Sequence, residues 1–230
     1  VGHSRGGRGH SKPAASRTKR RKAPPVEAPE LTRSVGRERA KRLEGRIEEA
    51  ARAFAADRYI DSRRILKPIA KEVPDSPEVR ELYGLTLYRL GHWRQAAVQL
   101  EAFGDLTAGS VEQHPVLADC YRALGRYQDV DRLWAELREV SPSAELMTEG
   151  RIVTAGSLAD RGRLSDAVAM LAKGFKLPAR SEEHHLRRAY ALADLYERSG
   201  DLPQARRLLG RIAAISPDYV DVEERLQNLD

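Results

Sequence analysis

This chain of 230 residues is poor in several features, and each scarcity excludes a class of protein. A single cysteine, Cys120, rules out an intramolecular disulfide and any zinc cluster with two or more sulfur ligands. No stretch approaches the roughly 18 consecutive apolar residues of a membrane-spanning helix, and the N-terminus lacks the apolar core of a secretory signal. The chain therefore reads as unexported and free of integral membrane segments, and a reducing cytoplasm suits its lone thiol. Aromatic residues make up only 6% of the chain, and the first of them is Phe54. The opening segment thus has little to bury against the entropy cost of ordering.

Acidic residues are missing from residues 1–25, which hold eight cations: Arg5, Arg8, Lys12, Arg17, Lys19, Arg20, Arg21 and Lys22. The whole chain is +6, so the remainder is slightly acidic at −2. Positive charge belongs to an arm, expected to be disordered over residues 1–30, and not to the body. The Ser-Arg-Gly-Gly-Arg-Gly run at 4–9 is similar to arginine–glycine RNA-binding tails. The arm is therefore the place where nucleic acid or a ribosome would be held, through phosphate contacts that weaken steeply with salt. An organellar transit peptide would share the missing acids, but this segment cannot form the amphipathic helix such peptides use. Solubility or contact with other anionic surfaces is the blander use of the same charge.

What is abundant is a repeat. Gly91-His92-Trp93-Arg94-Gln95-Ala96, Gly125-Arg126-Tyr127-Gln128-Asp129-Val130, Gly162-Arg163-Leu164-Ser165-Asp166-Ala167 and Gly200-Asp201-Leu202-Pro203-Gln204-Ala205 share one pattern, with Asp57-Arg58-Tyr59-Ile60-Asp61-Ser62 as a degenerate copy. A turn residue is followed two positions on by a large side chain and three further on by a small one. Glycine suits the left-handed backbone that ends a helix. Upstream of the turns stand Ala50, Gly84, Ala118, Ala155 and Ala193, where paired helices come closest; downstream stand Leu66, Leu100, Trp134, Leu171 and Leu209, which fill the space between hairpins. Pro74, Pro142, Pro178 and Pro217 mark the ends of second helices. Ser76-Pro77-Glu78 and Ser181-Glu182-Glu183 read as helix starts capped by serine. Pro24, Pro25 and Pro29 read as a stiff spacer before a first helix near residue 32.

Together these residues resemble the tetratricopeptide repeat (TPR) across residues 42–219. The resemblance implies an all-α, right-handed solenoid of about five helix hairpins, at about 42–75, 76–109, 110–143, 144–180 and 181–216. A capping helix is expected over 217–230, where apolar Tyr219, Val222, Leu226 and Leu229 fall at helical spacing. The first unit lacks a turn glycine, and the fourth has Gly174 where a larger core residue is usual.

In such a solenoid the first helices line a concave groove that takes a peptide or a partner helix. The groove positions fall on Tyr88, Arg89, Asp119, Arg122, Asp160, Asp194, Glu197 and Arg198, a lining of mixed sign. The same residues also read as solvated helix faces joined by pairs such as Asp194 with Arg198. The Lys and Asn set with which some relatives grip a chaperone's C-terminal carboxylate is replaced by Ile47, Ala51, Glu81 and Leu85, which disfavours that role. The function expected is a non-catalytic protein-binding scaffold, with nucleic acid or ribosome tethering through the arm as the alternative.

Catalytic and cofactor motifs are missing. There is no phosphate loop, dinucleotide fingerprint or nucleophile elbow, and the glycines are used by the turns. Cys120 reads as a structural thiol inside a helix. His184 and His185, as sequence neighbours, should diverge by roughly 100° around a helix, so no metal and no cofactor is expected there.

Overall fold

The computed structural model describes residues 29–229, which form twelve α-helices and, among the described residues, no strand. The eight cations of the arm lie outside them. A short helix, α1 (Pro29–Val35), breaks at Gly36 and leads into five antiparallel pairs. These are α2 (Arg37–Ala55) with α3 (Tyr59–Glu72), α4 (Pro77–Arg89) with α5 (Trp93–Leu106), α6 (His114–Ala123) with α7 (Tyr127–Val140), α8 (Ala144–Asp160) with α9 (Leu164–Ala172), and α10 (Glu183–Ser199) with α11 (Leu202–Ile215). The chain ends on α12 (Val222–Asn228). Among the described residues no helix is long and apolar enough to cross a membrane.

The turns explain the period. Gly91, Gly125, Gly162 and Gly200 all take positive φ, from +73° to +79°, and Asp57 takes the same left-handed place at φ 58°. At each complete turn the following N–H reaches back to a carbonyl near the helix end, as in His92 N to Leu87 O and Asp201 N to Tyr196 O, both 2.9 Å. The small residues five positions after the turn, Ser62, Ala96, Val130, Ala167 and Ala205, are all fully buried. So are Ala50, Gly84, Ala118, Ala155 and Ala193 on the partner helices. A Cβ on Gly84 would meet Leu100 Cδ2 at 2.7 Å, which is why the smallest side chain sits there.

Several sequence expectations are corrected. Helix α1 starts at Pro29, inside the expected arm and spacer, because proline needs no N–H at a first helical position. Ser76 is the N-cap of α4, but its hydroxyl donates to Glu78 Oε2 at 2.9 Å and caps no backbone N–H. The start of α10 is capped by Glu182, one residue after Ser181, whose hydroxyl instead donates to the Pro178 carbonyl. Leu66, Leu100, Leu171 and Leu209 are buried as expected, whereas Trp134 is only half-buried, its ring being too large to be enclosed. Leu202 is 47% exposed and does not seal the last hairpin. Gly174 lies beyond the short α9, and buried Leu177 with half-buried Phe175 fill the space. The terminal helix begins at Val222, after a turn that holds Tyr219.

The apolar interior falls into two clusters. One runs from Leu31 of α1 to Leu133 of α7, the other from Ala155 of α8 to Val222 of α12. They meet between the third and fourth pairs, where Leu137 and Trp134 press on Gly150; a Cβ there would collide with Leu137 Cδ2. Polar bridges reinforce this junction. Arg161 grips Asp131 through both terminal nitrogens at 2.9 Å, and Arg122 reaches Asp160.

Candidate binding groove

Packing defines an inside and an outside. Each second helix packs on the first helix of the following pair where one follows, and the first helices also touch in sequence, α2 with α4, α4 with α6, α6 with α8 and α8 with α10. Among the described residues no such contact joins α3, α5, α7, α9 and α11 to one another. The array therefore bends toward its first helices, which form the concave face.

On that face the expected residues are not independent. Tyr88 Oη donates to Asp119 Oδ2 at 2.8 Å, and Arg122 contacts Asp119 at 3.3 Å while its Nε donates to Asp160 Oδ2 at 2.6 Å. One chain of bonds thus links α4, α6 and α8. Burial opposes the Arg122 charge, but the bond to Asp160 and the field of Asp119 outweigh it and raise its pKa. Burial pushes the Tyr88 phenol up, helped by Asp119, so it remains a hydrogen-bond donor. Arg89 pairs with the turn residue Asp57 at 3.6 Å and lies over the Tyr59 ring. Asp194 and Arg198 pair at 3.7 Å, and Arg225 of α12 reaches Asp194 and Glu197 at 3.7 and 2.8 Å.

Some members of this face are not evident from the repeat pattern. Arg187 of α10 clasps Glu149 of α8 through its Nε and Nη2, and Tyr190 donates to Asp221 beside α12. Gly156 provides the seat for Arg122, since a Cβ there would meet its Cζ at 2.7 Å. A signal for the arginine pairs does exist: Arg122–Asp160 and Glu149–Arg187 are both separated by 38 positions. Ile47, weighed as a groove position, is a core residue only 2% exposed. Glu81 accepts from Gln113 at 2.7 Å, and burial raises its pKa.

Outside the groove, Cys120 is fully buried, and burial followed by the field of Asp119 pushes its thiol up to about 12. Such a thiol stays protonated at neutral pH. The divergence expected of His184 and His185 does not occur: at the helix start their rings tilt together, with centroids 3.9 Å apart.

Solved structures share this architecture. A thermophilic TPR protein from Thermus thermophilus matches with a TM-score of 0.63 at 19% identity, covering 81% of this chain and 98% of that one. The nearly identical TPR-like repeats of a putative kinesin light chain from Podosopora anserina match with a TM-score of 0.57 at 18% identity, covering 77% and 96%. No protein-family profile and no curated protein matches the sequence. The fold is therefore a TPR-like solenoid of helix hairpins.

Proposed function

We propose that this protein is a non-catalytic cytoplasmic scaffold that holds a protein partner, as an extended peptide or a helix, against the first-helix face. The observation that carries this reading is the continuous polar face linked by the Tyr88–Asp119–Arg122–Asp160 chain of bonds. These bonds hold the first helices in a fixed arrangement, so a partner meets a preformed face and less ordering entropy is lost on binding. The central bonds are mutually satisfied, so recognition centres on the more open ends, at Arg89 and at Asp194 with Arg198. Mixed charge there favours a partner that alternates acid and base over a tail of one sign.

A charge reversal tests the reading. Asp194→Arg with Arg198→Glu keeps an i,i+4 pair while inverting the display and gives up the contact of Asp194 with Arg225. Arg132→Glu with Glu136→Arg does the same on α7, where that pair closes at 2.9 Å and Arg132 gives up its contact with Asp129. Partners retained by the immobilised full chain should be lost with the first double variant and kept with the second. Equal retention by both would rule out the groove as the binding surface.

A further inference from the structure

The two histidines at the start of α10 are part of a donor cluster that the groove does not use. One ligating atom each of Glu182, His184 and His185 lies within 4.8 Å of the others. The His184 side chain is 11% exposed, and its Nδ1 is buried without a hydrogen-bond partner. That nitrogen faces Glu182 Oε2 at 3.4 Å and Glu145 Oε1 at 3.8 Å. Glu145 belongs to α8, so two carboxylates from different hairpins converge on one orphaned nitrogen. The Glu182 backbone N–H donates to His185 Nδ1 at 3.2 Å, leaving His185 Nε2 open.

We infer that Glu145, Glu182, His184 and His185 form a site for a late first-row divalent cation such as Zn²⁺. Imidazole donors select that class over Mg²⁺ or Ca²⁺. Tetrahedral zinc with bonds of about 2.1 Å places its ligands roughly 3.4 Å apart. Glu182, His184 and His185 would close by up to about 1.4 Å, and Glu145, 3.8 Å from His184 Nδ1, would swing in as the fourth ligand; both carboxylates are exposed and free to change rotamer. Two carboxylates balance the charge of the cation. His184 and His185 line a cavity that Arg151, Lys176 and Arg188 also line, but Arg188 is tied to the carbonyls of Leu171 and Lys173, at 2.7 and 2.6 Å from its Nη2. A bound ion would clip the start of α8 to the start of α10 and brace the fourth hairpin against the fifth.

The test is titration of the untagged full chain with Zn²⁺ by calorimetry and with Co²⁺ by visible absorption. The wild type should bind one ion at this site and show the intense d–d bands of low-coordinate cobalt. His184→Gln and Glu145→Gln, each checked for helicity by circular dichroism, should weaken binding at least tenfold, since even changes to groups behind the ligands cost about 10–100-fold. Glu145 is the discriminating position, being remote in sequence from the histidines. No binding to the wild type, or an affinity unchanged in both variants as expected if His3 and His10 held the metal, would overturn the assignment.

Discussion

The Arg122 guanidinium lies in a seat left open by the missing side chain of Gly156, and from there its Nε donates to Asp160 at 2.6 Å. This contact joins the third hairpin to the fourth, where the two apolar clusters meet. Arg122→Ala should cost about 1–2 kcal/mol, the range of a hydrogen bond to a charged group that keeps some solvent. Urea unfolding measures the loss. Hydrogen exchange should show it concentrated in α6 and α8. A double-mutant cycle with Asp160→Ala should return a coupling of about 1 kcal/mol.

Glycines inside the helices divide by what surrounds them. Nothing lies within 4 Å of a Cβ built on Gly45, so Gly45→Ala should stabilise by about 0.5–1 kcal/mol through helix propensity alone. At Gly84 and Gly150 the added methyl would strike Leu100 and Leu137, and overpacking should cost about 1–3 kcal/mol. Thermal melts of the three variants should give a rise and two falls.

Exposure orders the large residues between hairpins. Leu66 is fully buried, and Leu66→Ala should cost about 2–5 kcal/mol. Trp134 is half-buried against Gly150, so Trp134→Ala should cost about 2 kcal/mol, below the range for an enclosed tryptophan. Equal or inverted losses in urea would show that the third hairpin packs in another register.

His114 opens α6 with its side chain 13% exposed and its Nδ1 without a partner. Burial lowers its pKa, and Glu136, 3.8 Å from Nε2, only partly offsets this. The unfolded chain therefore takes up this proton first. Stability from the neutral imidazole is complete above the unfolded value of about 6.5 and declines as pH falls through it. Urea midpoints from pH 7.5 to 5 should drop for the wild type and follow a flatter course for His114→Asn.

The repeat is legible in the sequence because the residues that meet its steric demands lie close together along the chain. The turn at Gly91, the small residue at Ala96 and the large one at Leu100 lie ten positions apart at most, and even Asp57 at the degenerate turn keeps the left-handed backbone. The groove positions are legible as a face but not as a set of bonds. Whether Arg122 meets Asp119, Asp160 or solvent depends on how sharply α6 and α8 approach. The Glu149–Arg187 pair needs a separation of 38, four beyond the basic period. Pro29 misleads because proline serves equally in a spacer and at a helix start. The histidines mislead because helical angles fix Cβ directions, while rings at an open helix end can still turn toward each other.

Docking of partners on the first-helix face is open to direct measurement. A photo-crosslinking amino acid is placed in the full chain at Arg89 or Arg198, and for comparison at Lys67 or Arg207 on the second helices. All four positions are exposed. Covalent partner adducts should form from Arg89 and Arg198 and be scarce from Lys67 and Arg207. Adducts formed mainly from the second helices, or equally from both faces, would contradict docking in the groove.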